Sequence, residues 1–162
     1  MSADREKAFV ITVSDRSARG ERVDLSGPKA VELLENAGFE VGSRIISDGA
    51  SSVEEALKSA LANGATLIVT TGGTGVTSRD RTPEGTRAAI DFEIPGFAEL
   101  LRLEGAKSNP LAVLSRGVVG VASGNRALVV NLPGSVSAVE QGLGTVLPLV
   151  PHVLDQLRDG DH

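Results

Sequence analysis

The first half of the chain alternates short apolar runs with longer amphipathic stretches. Residues 8–13, 39–46 and 66–70 are apolar and rich in β-branched side chains, which is typical of strands buried within a sheet. Between these runs apolar residues recur at helical spacing, first at Ala30, Val31, Leu34 and Ala37, then at Val53, Ala56, Leu57, Ala60 and Leu61. The order strand, helix, strand, helix, strand predicts right-handed crossovers and a mostly parallel sheet.

The second half is punctuated by proline and glycine. A long loop at residues 72–82 precedes a helix that begins at Pro83, and a further short helix follows Pro95. Residues 117–121 and 127–130 have the pattern of two strands joined as a hairpin.

The C-terminal part has the apolar spacing of a helix that Pro148 and Pro151 split in two. His152 lies on the apolar face of this helix and is interpreted as structural. No linker or repeat interrupts the sequence, so we expect one α/β domain over residues 1–162.

Several helix ends carry recognisable signals. Ser51 and Glu54 match a capping box, and Thr82 is placed to cap the helix that Pro83 starts. The polar residues 14–24 are expected to form a loop.

Composition narrows the classes of function. The 162 residues are 41% hydrophobic and 23% charged, which suits a packed domain. A net charge of −5 and 2% aromatic residues argue against nucleic-acid binding. The absence of cysteine excludes disulfides, Cys-ligated metals and a cysteine nucleophile. No stretch resembles a signal peptide or a membrane span, so we expect a cytoplasmic protein with no membrane partner.

Polar segments follow four of the predicted strands. In open α/β sheets ligands bind beyond the carboxyl ends of the strands, and these segments are placed there. They are Ser14-Asp15, Asp48-Gly49, residues 71–82 and Asn131-Leu132-Pro133-Gly134-Ser135.

The strongest local signal is the glycine-rich segment after the third strand. Gly72, Gly73 and Gly75 leave backbone N–H groups unshielded, which suits a loop that wraps an anion. The alternative is a tight turn that only needs positive φ. The segment lacks the Gly-Lys-Ser/Thr of a Walker A loop, and Ser78 stands where a Rossmann fingerprint has its last glycine.

Two aspartates accompany this segment. Asp48 follows the second strand and Asp80 precedes the Pro83 helix, so together they supply hard oxygen ligands for Mg²⁺ beside bound phosphate. The alternatives are an Asx-turn or helix cap at Asp48 and exposed ion pairs of Asp80 with Arg79 or Arg81.

Ser135 begins the last helical region. It either caps that helix or binds a phosphate together with the first helical amides. Arg16, Arg19 and Arg22 add positive charge after the first strand, but acidic neighbours favour a solvated loop. No side chain has the features of an activated covalent nucleophile, so direct transfer with electrostatic and metal assistance is the expected chemistry.

In these segments the sequence resembles the MogA/MoaB family of molybdenum-cofactor biosynthesis proteins, which includes the G domain of gephyrin-type proteins. The resemblance runs along essentially the whole chain, and its specificity comes from the order of the motifs. They are Val13-Ser14-Asp15-Arg16, Asp48-Gly49, Thr71-Gly72-Gly73-Thr74-Gly75, Asp80, Thr82-Pro83-Glu84, Ile94-Pro95-Gly96, Leu114-Ser115-Arg116-Gly117 and Asn131-Leu132-Pro133-Gly134-Ser135.

The resemblance implies a three-layer α/β molybdopterin-binding fold, with a mostly parallel sheet flanked by helices, and a homotrimer. It implies that molybdopterin is adenylylated by Mg-ATP with release of pyrophosphate, with Asp48 and Asp80 serving catalysis and Mg²⁺ binding. The residues expected to bind the nucleotide and the pterin phosphate are Ser14, Asp15, Gly72, Gly73, Thr74, Gly75, Thr82, Glu84, Asn131, Pro133, Gly134 and Ser135.

Other functions stay open at this point. A MoaB-type relative would bind the pterin with little or no adenylyl transfer, a scaffold protein would use the fold for binding, and a nucleotide-dependent metabolite enzyme would share a similar sheet. The retained aspartates favour the transferase. Other cofactor-biosynthesis proteins are candidate partners, and Ser115 and Arg116 either touch ligand or brace the site.

Overall fold

The computed structural model describes residues 4–160 and contains a six-stranded sheet. The strands are β1 (Lys7–Val13), β2 (Glu40–Ile46), β3 (Leu67–Thr71), β4 (Phe92–Glu93), β5 (Val119–Ala122) and β6 (Ala127–Leu132). Their order across the sheet is β2-β1-β3-β6-β5-β4. The first four in this order pair in parallel, and β5 and β4 complete the sheet by antiparallel pairing. The predicted mostly parallel sheet is confirmed; residues 1–3 and 161–162 of the predicted domain lie outside the described part.

The helices of the described residues lie between the strands and after the last of them. They are α1 (Asp15–Ala18), α2 (Ser26–Asn36), α3 (Ala50–Ala62), α4 (Thr82–Ala89), α5 (Pro95–Ser108), α6 (Val136–Val146) and α7 (Val150–Leu157), with 3-10 turns at Pro110–Leu114 and Ser123–Asn125. None of the helices within residues 4–160 has the length and hydropathy needed to traverse a bilayer.

The sheet is covered on both faces, which gives three layers. Alternate residues of β1 point to opposite sides, so that Val10 and Ile11 are both fully buried in separate apolar clusters. Val10 belongs to the cluster with Leu34 of α2 and Leu143 of α6. Ile11 belongs to the cluster with Leu57 of α3. Because both faces are apolar, the central strands have the continuous hydrophobic runs that the sequence shows.

Most predicted elements are confirmed. The apolar stripe of α3 is buried, the hairpin forms between β5 and β6, and the C-terminal helical region divides into α6 and α7. The predicted helix after Pro95 is longer than expected, since α5 has 14 residues. The two-residue strand β4, which carries no sequence signal, forms by pairing with β5.

Three local predictions are wrong. The capping box at Ser51 does not form, because α3 already begins at Ala50 with Gly49 at its N-cap. Residues predicted as loop after β1 include the short helix α1, which the Ser14 hydroxyl caps by accepting from Ser17 N at 3.2 Å. His152 is exposed rather than packed in the core, and its Nε2 lies 3.2 Å from Nε2 of Gln156.

The contact between α3 and α4 depends on glycine, and a substitution there tests the packing. At Gly85 of α4 an added Cβ would lie 2.5 Å from the carbonyl oxygen of Ala50 and 2.7 Å from Cβ of Val53. Overpacking of this kind costs about 1–3 kcal/mol. We therefore expect Gly85→Ala to lower the free energy of unfolding by that amount in urea denaturation.

Gly144→Ala in α6 is the matched control, since nothing lies within 4 Å of its added Cβ. There the better helix propensity of alanine predicts unchanged or slightly higher stability. Equal stability of the two variants would contradict the close packing of α3 on α4.

Candidate active site at the carboxyl edge of the sheet

Four parallel strands end at one edge of the sheet, and the polar segments that follow them meet there. Val13 at the end of β1 is in register with Ile46 of β2. Thr12 pairs with Thr71 of β3, and Thr71 pairs with Leu132 of β6. Parallel strands in register carry their carboxyl ends to a common edge, which is where ligands bind in such sheets. The four segments singled out in the sequence therefore converge.

The glycine loop (residues 72–75) leaves the end of β3 under tight steric restriction. Gly72 and Gly73 have φ values of 95° and 68°, which favour glycine. A Cβ at Gly72 would collide with the carbonyl oxygen of Val13, and one at Gly73 would collide with Oγ1 of Thr82. The loop passes so close to β1 and α4 that side chains are excluded at both positions.

This loop presents backbone donors that the protein leaves unpaired. Within residues 4–160, the N–H groups of Gly73, Thr74, Gly75 and Val76 have no hydrogen-bond acceptor in the chain. Successive N–H groups of this kind form anion-binding concavities. These N–H groups are available to donate to an anion or to water, which is compatible with the anion-binding interpretation.

The turn of residues 133–135 packs against the glycine loop. A Cβ at Gly134 would lie 3.3 Å from Cα of Gly72. Ser135 is the N-cap of α6, and its Oγ accepts from Ala138 N at 3.1 Å. The predicted cap is confirmed, and the positive end of the α6 dipole borders the unpaired amides.

A pair of reciprocal hydrogen bonds ties the first two strand ends together. Asp15 N donates to Oδ2 of Asp48 at 3.2 Å, and Asp48 N donates to Oδ1 of Asp15 at 2.9 Å. Each aspartate therefore caps the other's backbone, which fixes Asp48 at the rim. The Oδ1 atom of Asp48 keeps no hydrogen-bond partner among the described residues.

The electrostatic surroundings of Asp48 connect it to Asp80. Partial burial raises the pKa of Asp48, and the hydrogen bond from the Asp15 backbone lowers it. The negative charges of Asp15 and Asp80 raise this pKa further, while Arg79 lowers it. The charges of Asp80 and Arg79 therefore couple Asp48 electrostatically to the loop that follows β3.

Asp80 is held by its own loop. Its Oδ2 accepts from Thr77 N at 3.1 Å and from Thr77 Oγ1 at 2.8 Å. The same oxygen lies beside Gly75, where an added Cβ would be 2.8 Å away. The alternative role of Asp80 in exposed ion pairs is not observed, because Arg81 pairs with Glu84 at 3.6 Å instead.

These two carboxylates suit Mg²⁺ that is shared with a substrate. Mg²⁺ is usually bound through one or two carboxylates, substrate phosphates and water. The described part of the chain contains no cluster of three or more Asp, Glu, His or Cys side chains that could form a protein-only cage. Asp80 beside the glycine loop and Asp48 after β2 match the partial ligand set that substrate phosphates would complete.

Two chambers open on either side of the turn of residues 133–135, and both include Gly134 and Ser135 in their walls. The first, of about 490 Å³, is bounded by the glycine loop, Asp80 and the 3-10 turn that contains Leu111 and Leu114. The second, of about 300 Å³, is lined by apolar residues and by six hydroxyl groups. Those belong to Thr12, Ser14, Ser17, Ser26, Thr71 and Ser135. A ligand with two polar moieties joined by phosphate fits such an arrangement.

Thr82 supports the glycine loop rather than its own helix. It is fully buried, and its Oγ1 donates to the carbonyl oxygen of Gly72 at 2.9 Å. The N-cap position of α4 is Arg81, with no capping side chain. The prediction that Thr82 caps this helix is wrong, because Thr82 is already its first residue and its hydroxyl donates to the loop carbonyl.

Asn131 is a buried brace beneath the site. It is 3% exposed, and its Nδ2 donates to Oγ1 of Thr70 at 2.9 Å and to Oγ1 of Thr86 at 3.0 Å. Its Oδ1 accepts from Val118 N at 3.1 Å. The side-chain amide is saturated by the protein, so it joins β3, β6 and α4 below the chambers.

Glu84 forms an ion pair with Arg116. Its Oε1 accepts from Nη1 of Arg116 at 2.7 Å. This hydrogen bond lowers the pKa of Glu84, so the carboxylate stays charged to more acidic pH than usual. Neither residue lines the two chambers.

Sequence reasoning missed Asp24, which organises the second chamber. Asp24 Oδ2 accepts from Thr12 Oγ1 at 2.7 Å, and its Oδ1 accepts from Gly27 N at 3.0 Å. Beside it the hydroxyl groups of Ser26 and Thr71 form a hydrogen bond with 3.0 Å between their oxygens. Asp24 precedes Gly27 by three residues, the spacing of a helix cap, and this signal could have identified it.

Comparison with known proteins identifies relatives of this chain. Residues 9–152 match the family model described as "Probable molybdopterin binding domain". The chain is similar to a Pyrococcus furiosus protein named "Molybdopterin adenylyltransferase", with 42% identity over 156 residues that cover 94% of this chain and 92% of that protein.

Solved structures show the same fold. The molybdopterin biosynthesis Mog protein from Mycobacterium ulcerans superposes with a TM-score of 0.89 at 42% identity, covering 97% of this chain and 99% of that one. The tungsten cofactor synthesizing protein MoaB from Pyrococcus furiosus gives a TM-score of 0.87 at 38% identity, covering 97% and 99%. The three-layer α/β fold expected from the resemblance is confirmed.

The raised pKa of Asp48 has a measurable consequence for stability. The charged carboxylate is less favourable in the folded chain than in the unfolded chain, so stability falls as pH rises through the range in which Asp48 ionises. We expect Asp48→Asn to be more stable than the parent at pH 7, by less than about 1 kcal/mol because water screens a partly exposed charge. The gain should vanish below the ordinary pKa of aspartate, as measured by urea denaturation across pH.

Asp91→Asn is the control, because its expected change in stability at pH 7 has the opposite sign. Hydrogen bonds from the Ser123 hydroxyl and backbone lower the pKa of Asp91, so its charged form stabilises the fold above the ordinary pKa of aspartate. This variant should lose stability at pH 7 and match the parent in acid. If Asp48→Asn is less stable than the parent at pH 7, the charge of Asp48 does not destabilise the folded chain.

Proposed function

The chain belongs to the family of probable molybdopterin-binding domains, and on that premise we propose that it is a molybdopterin adenylyltransferase, like the relative of that name. It transfers AMP from ATP to molybdopterin and releases pyrophosphate. The observation that carries this proposal is the placement of Asp80 beside the unpaired amides of the glycine loop, in the wall of the first chamber, with Asp48 following β2 at the same edge of the sheet.

The turn shared by the two chambers is where we place the phosphates of both substrates. The N–H groups of residues 73–76 and the start of α6 offer donors and a positive dipole end there. The organic parts of the substrates then extend into the chambers on either side. Both chambers offer hydroxyl groups and apolar side chains to those parts.

The proposed reaction is a direct transfer. An oxygen of the molybdopterin phosphate forms a bond to the α-phosphorus of ATP, and the bond from that phosphorus to the bridging oxygen of pyrophosphate breaks. A phosphate oxygen is already ionised near neutral pH, so no strong general base is required. The N–H groups of residues 73–76 donate to the phosphate oxygens on which negative charge accumulates in the transition state. Because these donors are already in place, they lower the barrier by electrostatic preorganisation.

Asp48 and Asp80 are the residues that would hold Mg²⁺, through oxygens that have no protein partner. When bound, the ion would neutralise phosphoryl charge and orient the phosphates. In this proposal the loops are fixed by Ser14, Asp15, Thr82, Glu84 and Asn131. The glycine loop and the turn of residues 133–135 contact the substrates.

The pterin-binding alternative without transfer is not favoured. The relative from Pyrococcus furiosus is named an adenylyltransferase, and both aspartates are present at the rim. The two functions differ in one observable, since a passive binder would hold molybdopterin without releasing pyrophosphate from ATP.

We also propose a homotrimer in the cytoplasm that exchanges its substrate and product with other cofactor-biosynthesis proteins. Large apolar side chains exposed on α5 and the 3-10 turn after it would supply buried area for assembly. These are Leu103 on α5 and Val113 on the 3-10 turn. Sedimentation equilibrium should give a mass three times that of the 16.7 kDa chain.

The proposed activity makes Asp80 necessary for turnover. Incubation of the protein with molybdopterin, Mg²⁺ and ATP should release pyrophosphate only when the pterin is present. Asp80→Asn should lower kcat by about 10²–10³-fold, because a charge that organises the transition state is lost. Binding of molybdopterin, followed by its fluorescence, should change far less.

Asp155→Asn is the control, because Asp155 lies on α7 and lines neither chamber. It should keep full activity. An equal loss of turnover and pterin binding in Asp80→Asn would make Asp80 a folding or binding residue and refute its assigned role.

A further inference from the structure

Arg116 binds the loop that carries the anion-binding amides while remaining outside both chambers. It follows the 3-10 turn Pro110–Leu114 and precedes β5. Its side chain is 35% exposed. Its contacts instead run to backbone atoms of the segment between β3 and α4.

Arg116 holds both arms of that segment at once. Its backbone N–H donates to Thr74 O at 2.7 Å, and its Nε donates to Gly75 O at 2.9 Å. Its Nη2 donates to Asp80 O at 2.7 Å. One residue therefore joins the glycine loop to the backbone of Asp80 across the exposed stretch between them.

The direction of these carbonyl groups determines the direction of the unpaired amides. A peptide unit is planar and trans, so the N–H of each following residue points opposite to the carbonyl that precedes it. The carbonyls of Thr74 and Gly75 point toward Arg116. The N–H groups of Gly75 and Val76 consequently point away from Arg116, where the protein offers them no acceptor.

Glu84 fixes the guanidinium in the orientation that this requires. Two further hydrogen bonds join Nη1 to Oε1 at 2.7 Å and Nη2 to Oε2 at 3.4 Å. With the bonds to Gly75 and Asp80, the guanidinium uses four of its five N–H donors on the protein. Glu84 lies in the first turn of α4, so the loop is secured to a helix packed on the sheet.

We infer that Arg116, oriented by Glu84, is a positioning residue that aims the N–H groups of the glycine loop and sets the place of Asp80 for phosphate binding. The inference rests on the proposed function, because it assigns the origin of the site's geometry. Glu84 compensates the charge of Arg116, so the pair contributes geometry rather than net positive potential to the site.

The shape of the guanidinium, and not its charge, is the property that matters. Lysine keeps the charge but presents a single ammonium group, which cannot reach Gly75 O, Asp80 O and Glu84 as a planar fork does. Arg116→Lys therefore separates positioning from electrostatics. Arg87→Lys is the matched control, because Arg87 pairs with Glu93 at 3.2 Å on the surface at the other end of α4.

The first measurement is steady-state adenylyl transfer. We expect Arg116→Lys to lower kcat by about 10²-fold, the loss that misplacement of reacting groups by about 1 Å produces. The KM for molybdopterin should change little, and Arg87→Lys should match the parent. Glu84→Gln should lower kcat by less, and adding it to Arg116→Lys should cause no further loss, since both act through one network. An Arg116→Lys variant with parental kcat would overturn the inference.

The second measurement observes the amides themselves. In ¹H–¹⁵N spectra of the full chain, inorganic pyrophosphate with Mg²⁺ should shift the resonances of Gly73, Gly75 and Val76 in the parent and in Arg87→Lys. In Arg116→Lys those shifts should be lost while the spectrum elsewhere stays that of the folded protein. If Arg116→Lys does not fold, Glu84→Gln takes its place, with attenuated shifts as the expected result.

The two failures are distinguishable. If the parent amides do not respond to pyrophosphate, the proposed phosphate site is wrong and the inference falls with it. If they respond equally in the parent and in Arg116→Lys, the phosphate site stands and the positioning role of Arg116 is refuted.

Discussion

The parallel pairing of β2, β1, β3 and β6 is the constraint on which the site depends. It brings Val13, Ile46, Thr71 and Leu132 into adjacent register, although they are far apart in the chain. Each strand then delivers one polar segment to the same edge. Without this pairing Asp48 and the turn of residues 133–135 would not lie at the same edge as the glycine loop, and the chemistry would have no common centre.

Close backbone contact converts this shared edge into a shaped site. The glycine loop passes over β1 and meets the turn at Gly134 with no room for side chains at Gly72 or Gly73. Thr82 and Asn131 satisfy buried polar groups beneath it, as buried polar groups require. Amides left free at the rim are thus held by a rigid floor, which is the condition for preorganised binding of phosphate.

The sequence was sufficient for the repeating elements and for the residues that follow the strands, because apolar periodicity and glycine punctuation are local signals. It led to Asp48, Asp80 and the glycine loop for that reason. It could not show that the amide of Asn131 turns into the core or that the hydroxyl of Thr82 serves Gly72, since such partners are set by tertiary contacts. The Arg116–Glu84 pair spans 32 residues, and only the folded chain reveals it.

The central claim is that phosphates bind on the unpaired amides between the two aspartates. A crystal structure of the protein with Mg²⁺ and a non-hydrolysable ATP analogue tests it most directly. The account predicts phosphate density over the N–H groups of residues 73–76, within reach of both Asp48 and Asp80. Phosphates bound at any other surface of the fold, with these amides and carboxylates untouched, would contradict it.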